Sequence, residues 1–145
     1  MTAAAPDGLC GLGFLAGRWR GEGTVRGRPA TSRGVCRPSA SSPDALSMQV
    51  ATSRDGRVIH EEDILWMPAT GRAVRCVTRP ATGDEQVWRV TRLGADAWEL
   101  ARPGFVWTIR RTESGYEETF DAGGADGNMV RVVALRHVRD EEAGA

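Results

Sequence analysis

A histidine and a glutamate stand two positions apart in the segment DGRVIHEEDILW, residues 55–66. If this segment is a β-strand, His60 and Glu62 share one face, because strand side chains alternate with a period of two. A carboxylate beside an imidazole raises the pKa of the histidine and fixes its tautomer, so the pair could act as a general acid or base. The same side chains could also form only a solvated ion pair at the rim of the domain. We predict His60 and Glu62 as candidate catalytic residues and keep both interpretations open.

The single tyrosine of the chain lies in the segment YEETF. Tyr116 shares a strand face with Glu118, whereas Glu117 points to the other face and cannot form a carboxylate pair with Glu118. Arg131, further along the chain, could join Glu118 in binding a carbonyl or carboxylate group, or in stabilising an enolate. Tyr116 is therefore a third candidate catalytic residue, and Glu118 and Arg131 are candidate ligand-binding residues.

Large aromatic and thioether side chains recur on one face of several candidate strands. Those that we predict to line a cavity are Met48, Trp66, Trp88, Trp107 and Met129. Indoles and thioethers with a few polar groups suit a flat, partly polar organic ligand. The alternative is that the tryptophans simply fill the core. The pattern therefore predicts a small organic ligand as the partner of this protein.

These side chains must be positioned by short strands, because no window of the chain has a convincing helical period. Ten candidate strands, separated by turn residues, are 18–26, 30–37, 45–53, 58–67, 72–79, 85–93, 97–102, 105–112, 116–121 and 129–138. Asp55-Gly56 and Ser114-Gly115 are hairpin signals, because glycine reaches positive φ without steric cost. Such a series favours an up-and-down barrel with room for a ligand.

The ends of the chain carry different patterns. The segment LCGLGFLAG, residues 9–17, could form one short helical turn that caps the barrel. Residues 1–8 and 140–145 are small, polar or acidic and are expected to be loose tails. We predict a single all-β domain over residues 1–145, an up-and-down antiparallel β-barrel of about ten strands with a short N-terminal helical segment.

The composition argues against several classes of function. The formal net charge is +0 and all 19 basic residues are arginine, so we expect no nucleic-acid partner, and no lysine can form a Schiff base. The three cysteines match no zinc spacing or redox pair. The start of the chain resembles no secretion signal, and no run approaches the ~18 apolar residues of a membrane helix. We expect a cytoplasmic protein with no membrane partner, and we leave a homodimer open.

The opening LAGRWRGEG, residues 15–23, resembles the G-x-W-x-G-x-G opening of the nitrobindin family, which are ten-stranded barrels related to lipocalin-like and fatty-acid-binding-like folds. The segment DGRVIHEEDILW is similar to that family's G-x-P-L-H-x-E-x-G-Y segment, with His60 and Glu62 on its histidine and glutamate. The last strand, MVRVVALRHVR, is similar to the closing strand. The resemblance implies that Trp19 packs at the closed end beside the helical segment and that Arg136 lies across it.

The resemblance also raises the question of haem, which nitrobindins bind through a histidine at the start of the closing strand. When the closing strands are matched on Leu135, that position falls on Val130. Met129 or His60 would then have to serve as an unconventional ligand, so we expect no cofactor and keep haem as an alternative.

Three functions therefore remain open at the level of sequence. The first is a ligand-binding barrel that promotes a non-redox isomerisation or cyclisation of an organic substrate, with His60 and Glu62 as the acid–base pair. The second is a nitrobindin-type haem protein that acts on nitric oxide or peroxynitrite. The third is a carrier without catalytic activity.

Overall fold

The computed structural model describes residues 7–70 and 73–140, which form ten β-strands preceded by two short 3₁₀ segments. The 3₁₀ segments are Asp7–Leu9 and Leu12–Leu15. The strands are β1 Gly17–Val25, β2 Arg28–Pro38, β3 Leu46–Arg54, β4 Arg57–Pro68, β5 Val74–Pro80, β6 Gln86–Arg92, β7 Ala97–Arg102, β8 Phe105–Arg111, β9 Gly115–Gly123 and β10 Met129–Arg139. No helix in these residues is long and apolar enough to span a membrane.

Each strand pairs with the next in antiparallel order, and β1 pairs with β10 to close the sheet into a barrel. The predicted all-β, up-and-down, ten-stranded barrel with a short N-terminal helical segment is confirmed. Most of the predicted tails, residues 1–6 and 141–145, lies outside the described residues. Residues 7 and 8 belong to a 3₁₀ turn, and the Asp140 N–H donates to the Arg18 carbonyl at 3.0 Å.

The strands expose one face and bury the other, as their composition predicts. In β2, for example, Ala30, Ser32 and Cys36 point inward while the residues between them are mostly exposed. Two-residue turns at Arg26-Gly27 and Asp55-Gly56 have positive φ at both positions, as type I′ hairpins require. These two turns lie at one end of the barrel, which is its open end.

The 3₁₀ segments plug the opposite end. Leu9, Leu12 and Leu15 are completely or almost completely buried. The Trp98 indole donates to the Cys10 carbonyl at 2.8 Å, and the Trp19 indole donates to the Leu15 carbonyl at 2.8 Å. Trp19 is therefore part of the closure, as the family resemblance implied.

The arginine that covers Trp19 is Arg139, and the prediction of Arg136 is wrong. The Arg139 guanidinium carbon lies 4.4 Å from the centre of the Trp19 ring and its nitrogens donate to the Phe14 and Ala16 carbonyls. Trp19 and Arg139 are directly paired between β1 and β10. Arg136 is three positions away, so it points outward and forms an ion pair with Glu117.

A β-bulge interrupts the pairing of β9 with β10. Arg131 pairs with Asp121 and Val133 pairs with Phe120, so Val132 has no opposing residue. Such a bulge shifts the alternation of side chains by one position. In the part of β10 before the bulge, the side chains that uniform alternation would place inside the barrel therefore point outward.

Candidate functional site

The barrel encloses a cavity of about 620 Å³ between the plugged end and the open end. It lies in the size range of small-molecule sites in proteins. Eight of the predicted site residues line it: Met48, His60, Glu62, Trp66, Trp88, Trp107, Tyr116 and Glu118. Since the eight come from five different strands, the tertiary fold alone brings them together. Their catalytic and ligand-binding roles stay predictions.

Met129 and Arg131 do not line the cavity, and the expectation that they face inward is wrong. Arg131 Nε lies 2.9 Å from Asp121 Oδ1 on the outer surface, so it is not a partner of Glu118. The Met129 side chain is likewise outside, and the residue is 46% exposed. The bulge explains both positions, because uniform alternation along β10 holds only from Val133 onward.

The floor of the cavity holds a polar cluster that consists of Tyr116, Glu118 and His137. The imidazole of His137 stacks on the Tyr116 ring with a centroid distance of 4.3 Å, and His137 Nε2 is 3.3 Å from Glu118 Oε1. The other carboxylate oxygen of Glu118 accepts a hydrogen bond from the Trp107 indole at 3.3 Å. Burial, and then the negative charge of Glu118, raise the pKa of Tyr116 well above its ordinary value, so the phenol is neutral.

Sequence reasoning missed His137. Its register position is opposite Gly21 in β1, and a Cβ added to Gly21 would lie only 2.5 Å from His137 Nδ1. The glycine therefore makes room for the imidazole. Alternation along the last strand could have revealed it, because His137 shares the inward face with Val133 and Leu135.

Among the buried polar atoms on the cavity wall that have no hydrogen-bond partner within the described residues, three belong to side chains that are almost completely buried. They are the Ser32 hydroxyl oxygen, the Trp66 indole nitrogen and His137 Nε2, which approaches Glu118 without the alignment of a hydrogen bond. The three residues are at most 3% exposed. A buried polar group without a partner costs about 1–3 kcal/mol, so such groups call for an explanation.

The mouth of the cavity carries the predicted pair of His60 and Glu62. Their side chains approach to 3.5 Å between Nε2 and Oε2, and the histidine side chain is 50% exposed. The hydrogen-bonding interaction with Glu62 raises the pKa of His60, and partial burial opposes that effect. The spacing in the sequence therefore predicted the contact, but solvent reaches this pair more easily than the cluster at the floor.

Some of the other polar groups of the cavity wall form hydrogen bonds within the protein. The Trp88 indole donates to the Thr78 hydroxyl at 2.9 Å, which leaves its ring face toward the cavity. Trp107 packs against both Trp66 and Trp88 with ring centroids 5.6 Å apart. The cavity thus combines an indole-rich wall with a polar floor.

No protein-family model and no curated protein matches this chain. Among solved structures, it is similar to the crystal structure of Rv2717c from M. tuberculosis, with a TM-score of 0.66 and 18% sequence identity. The alignment covers 94% of this chain and 99% of that chain. At this level of identity the likeness concerns the fold alone, and the chain has the fold of a closed, ten-stranded antiparallel β-barrel.

Proposed function

We propose that this protein binds a small organic molecule inside the barrel and promotes a non-redox isomerisation or cyclisation of that molecule. The observation that carries the binding proposal is the set of unpartnered polar atoms on Ser32, Trp66 and His137. A ligand with hydroxyl or carbonyl groups would supply their missing hydrogen bonds and offset the cost of their burial. The surrounding indoles of Trp66, Trp88 and Trp107 favour a planar, largely apolar molecule.

The catalytic part of the proposal rests on the cluster at the floor. His137 can accept a proton from a carbon or hydroxyl of the ligand, and the neighbouring Glu118 carboxylate stabilises the resulting imidazolium. The neutral Tyr116 phenol can donate a hydrogen bond to a developing oxyanion. Return of a proton from His137, after exchange with solvent, to another atom of the ligand completes an isomerisation, with no net gain or loss of electrons.

His60 and Glu62 are the second acid–base candidate of the same reaction. Their position at the mouth suits proton exchange between a bound molecule and solvent, and the raised pKa of His60 keeps more of it protonated near neutral pH. The His60–Glu62 pair and the His137–Glu118 pair lie at opposite ends of the cavity, so mutations can test each pair separately.

Binding can be tested by quenching of tryptophan fluorescence with a panel of planar phenols and aromatic ketones. We expect saturable quenching in the wild type and weaker binding of phenols or ketones in Trp66→Phe. Arg89→Gln, a change on the exposed outer face of β6, serves as the control and should bind as the wild type does. Absence of saturable quenching across the panel would contradict the binding proposal.

Catalysis can be tested on the ligands so identified by following deuterium incorporation from heavy water with NMR. We expect incorporation into an enolisable ligand in the wild type and its loss in His137→Gln, with affinity changed by less than about tenfold. His60→Ala tests the mouth pair in the same assay. Binding without any incorporation or rearrangement would leave a carrier as the function.

Haem is the second candidate, and the donor atoms do not fit the family's way of holding it. Val130, at the position of the family's histidine, has no ligating atom and is 55% exposed, and the Met129 side chain lies outside the cavity. Of the candidate ligands predicted from sequence, His60 alone lines the cavity. Absorption spectra after addition of hemin test this alternative: a stoichiometric Soret band that His60→Ala removes and Met129→Ala preserves would favour haem binding.

A further inference from the structure

Arg102, the last residue of β7, lines the cavity near its open end. Its guanidinium carbon lies 3.9 Å from the centre of the Phe105 ring and 4.9 Å from the centre of the Trp88 ring. Stacking of this kind holds a guanidinium in place by cation–π attraction and leaves its N–H edge available for another partner. Arg102 is therefore a positioned cation beside the indole-rich wall.

The positive charge of Arg102 has no carboxylate partner within 4.0 Å among the residues that the structure describes. Its Nε atom is buried and makes no hydrogen bond to any part of the chain that the structure describes. Burial lowers the pKa of Arg102, which reflects the cost of removing the guanidinium from water. Such a group gains free energy when an anion reaches it, because a charge-assisted hydrogen bond replaces the missing one.

A second arginine lines the cavity from the end of β3. The terminal nitrogen of Arg54 donates to the Val25 carbonyl at 2.6 Å, and its Nε atom is buried without a partner. Arg26, on the turn between β1 and β2, also lines the cavity. Three arginines thus surround the open end.

Carboxylates near the open end do not neutralise these arginines through ion pairs within the described residues. Glu62 is paired with His60. Asp84, on the exposed loop between β5 and β6, also lines the cavity but approaches neither Arg102 nor Arg54 within 4.0 Å. Glu118 lies at the floor beside His137. Arg26, Arg54 and Arg102 therefore line the open end without an ion-pair partner among the described residues.

We propose that Arg102 binds a carboxylate of the cavity's ligand, and that the ligand is an aromatic or polycyclic organic acid. The acid lies with its apolar part against the indoles and its carboxylate at the mouth, where the planar guanidinium can form two parallel hydrogen bonds to it. Arg54 adds attraction from the other side of the opening. This inference rests on the proposed function, since it assigns a substrate class to the same cavity.

The test compares an acid with its own neutral ester, for example 2-naphthoate with methyl 2-naphthoate, by tryptophan quenching. We expect the wild type to bind the acid at least about tenfold more tightly than the ester. Arg102→Met should remove that preference by weakening binding of the acid, and saturable binding of the ester by the same variant would show that it is folded. Arg102→Lys should restore part of the preference, and Arg89→Met, on the outer face of β6, should retain all of it.

The outcomes of this test separate a failure of the carboxylate proposal from a failure of the proposed binding function. Saturable and equal binding of acid and ester by the wild type would overturn the carboxylate proposal and leave the binding function intact. A preference for the acid that survives in Arg102→Met would also overturn the assignment to Arg102. If neither compound quenches, both the carboxylate proposal and the binding function are contradicted for this ligand class. Naphthalene-2-sulfonate provides a further arm: binding as tight as that of 2-naphthoate would overturn the restriction to carboxylates.

Discussion

At the scale of single residues, the absence of a side chain at Gly21 makes room for part of the candidate site. It is paired with His137 across β1 and β10, and its backbone leaves the space that the imidazole occupies. The imidazole in turn stacks on Tyr116 and approaches Glu118. The floor cluster therefore depends on a glycine that carries no functional group.

We predict that Gly21→Ala destabilises the protein by about 1–3 kcal/mol, because the added Cβ would lie 2.5 Å from His137 Nδ1 and 2.7 Å from Cε1. Urea denaturation followed by tryptophan fluorescence measures the change in the free energy of unfolding. Gly94→Ala is the matched control, since an added Cβ meets nothing within 4 Å at that position. Equal stabilities of the two variants would show that His137 leaves enough space for a Cβ at position 21.

At the scale of elements, the N-terminal 3₁₀ segments gain their stability from burial more than from local structure. The Leu12–Leu15 segment is one turn long and begins at Gly11, which offers no side-chain cap. Its leucines are buried against the barrel instead. The segment is therefore a plug that the rest of the fold holds in place.

We predict that Leu12→Ala lowers the free energy of unfolding by about 2–5 kcal/mol, because it removes a completely buried side chain and leaves a cavity beneath the plug. Leu93→Ala is the control, since Leu93 follows β6 and is 57% exposed. Thermal and urea denaturation of both variants provide the comparison. A Leu12→Ala variant as stable as Leu93→Ala would mean that the plug contributes little to the barrel.

At the scale of the whole molecule, closure of the barrel removes several weak acids from water at once. Burial raises the pKa of the Cys36 thiol to about 12 and the pKa of the Cys76 thiol well above its ordinary value. Burial likewise raises the pKa of the Tyr116 phenol. All three groups keep their protons in the folded barrel and lose them more easily in the unfolded chain.

We predict that stability falls steeply as the pH rises above about 9, where the thiols and then the phenol ionise in the unfolded chain only. Above the unfolded pKa values the unfolded state binds fewer protons, so each group costs about 1.4 kcal/mol of stability per pH unit until its folded pKa is reached. Urea denaturation at several pH values measures the slope. Because Tyr116 is the only tyrosine, tyrosinate absorbance also reports its ionisation directly.

Tyr116→Phe is the control for this pH dependence, since it keeps the ring and removes the phenol. Above the ordinary pKa of tyrosine, its free energy of unfolding should fall less steeply with pH than that of the wild type, by about 1.4 kcal/mol per pH unit. Tyrosinate that forms near the ordinary pKa of tyrosine while the barrel stays folded would contradict the burial of the phenol.

The sequence by itself determined the strands and the contacts that are local within a strand. Turn residues and period-two patterns predicted ten strands with ends close to the observed ones, because both signals depend on neighbours in the chain. The contact of His60 with Glu62 was predictable for the same reason: residues two apart on one strand face meet without help from the rest of the fold. The inward direction of Trp66, Trp88 and Trp107 follows from the same alternation.

Only the tertiary structure decided which side chains meet across strands. The bulge at Val132 turns Met129 and Arg131 outward, and nothing in the local sequence marks a bulge, because it is a mismatch between two strands. His137 joins Tyr116 and Glu118 because β10 closes on β1 over Gly21 while it pairs with β9. An unpaired charge such as that of Arg102 is visible only once all of its neighbours are in place, since burial and missing partners are properties of the folded barrel.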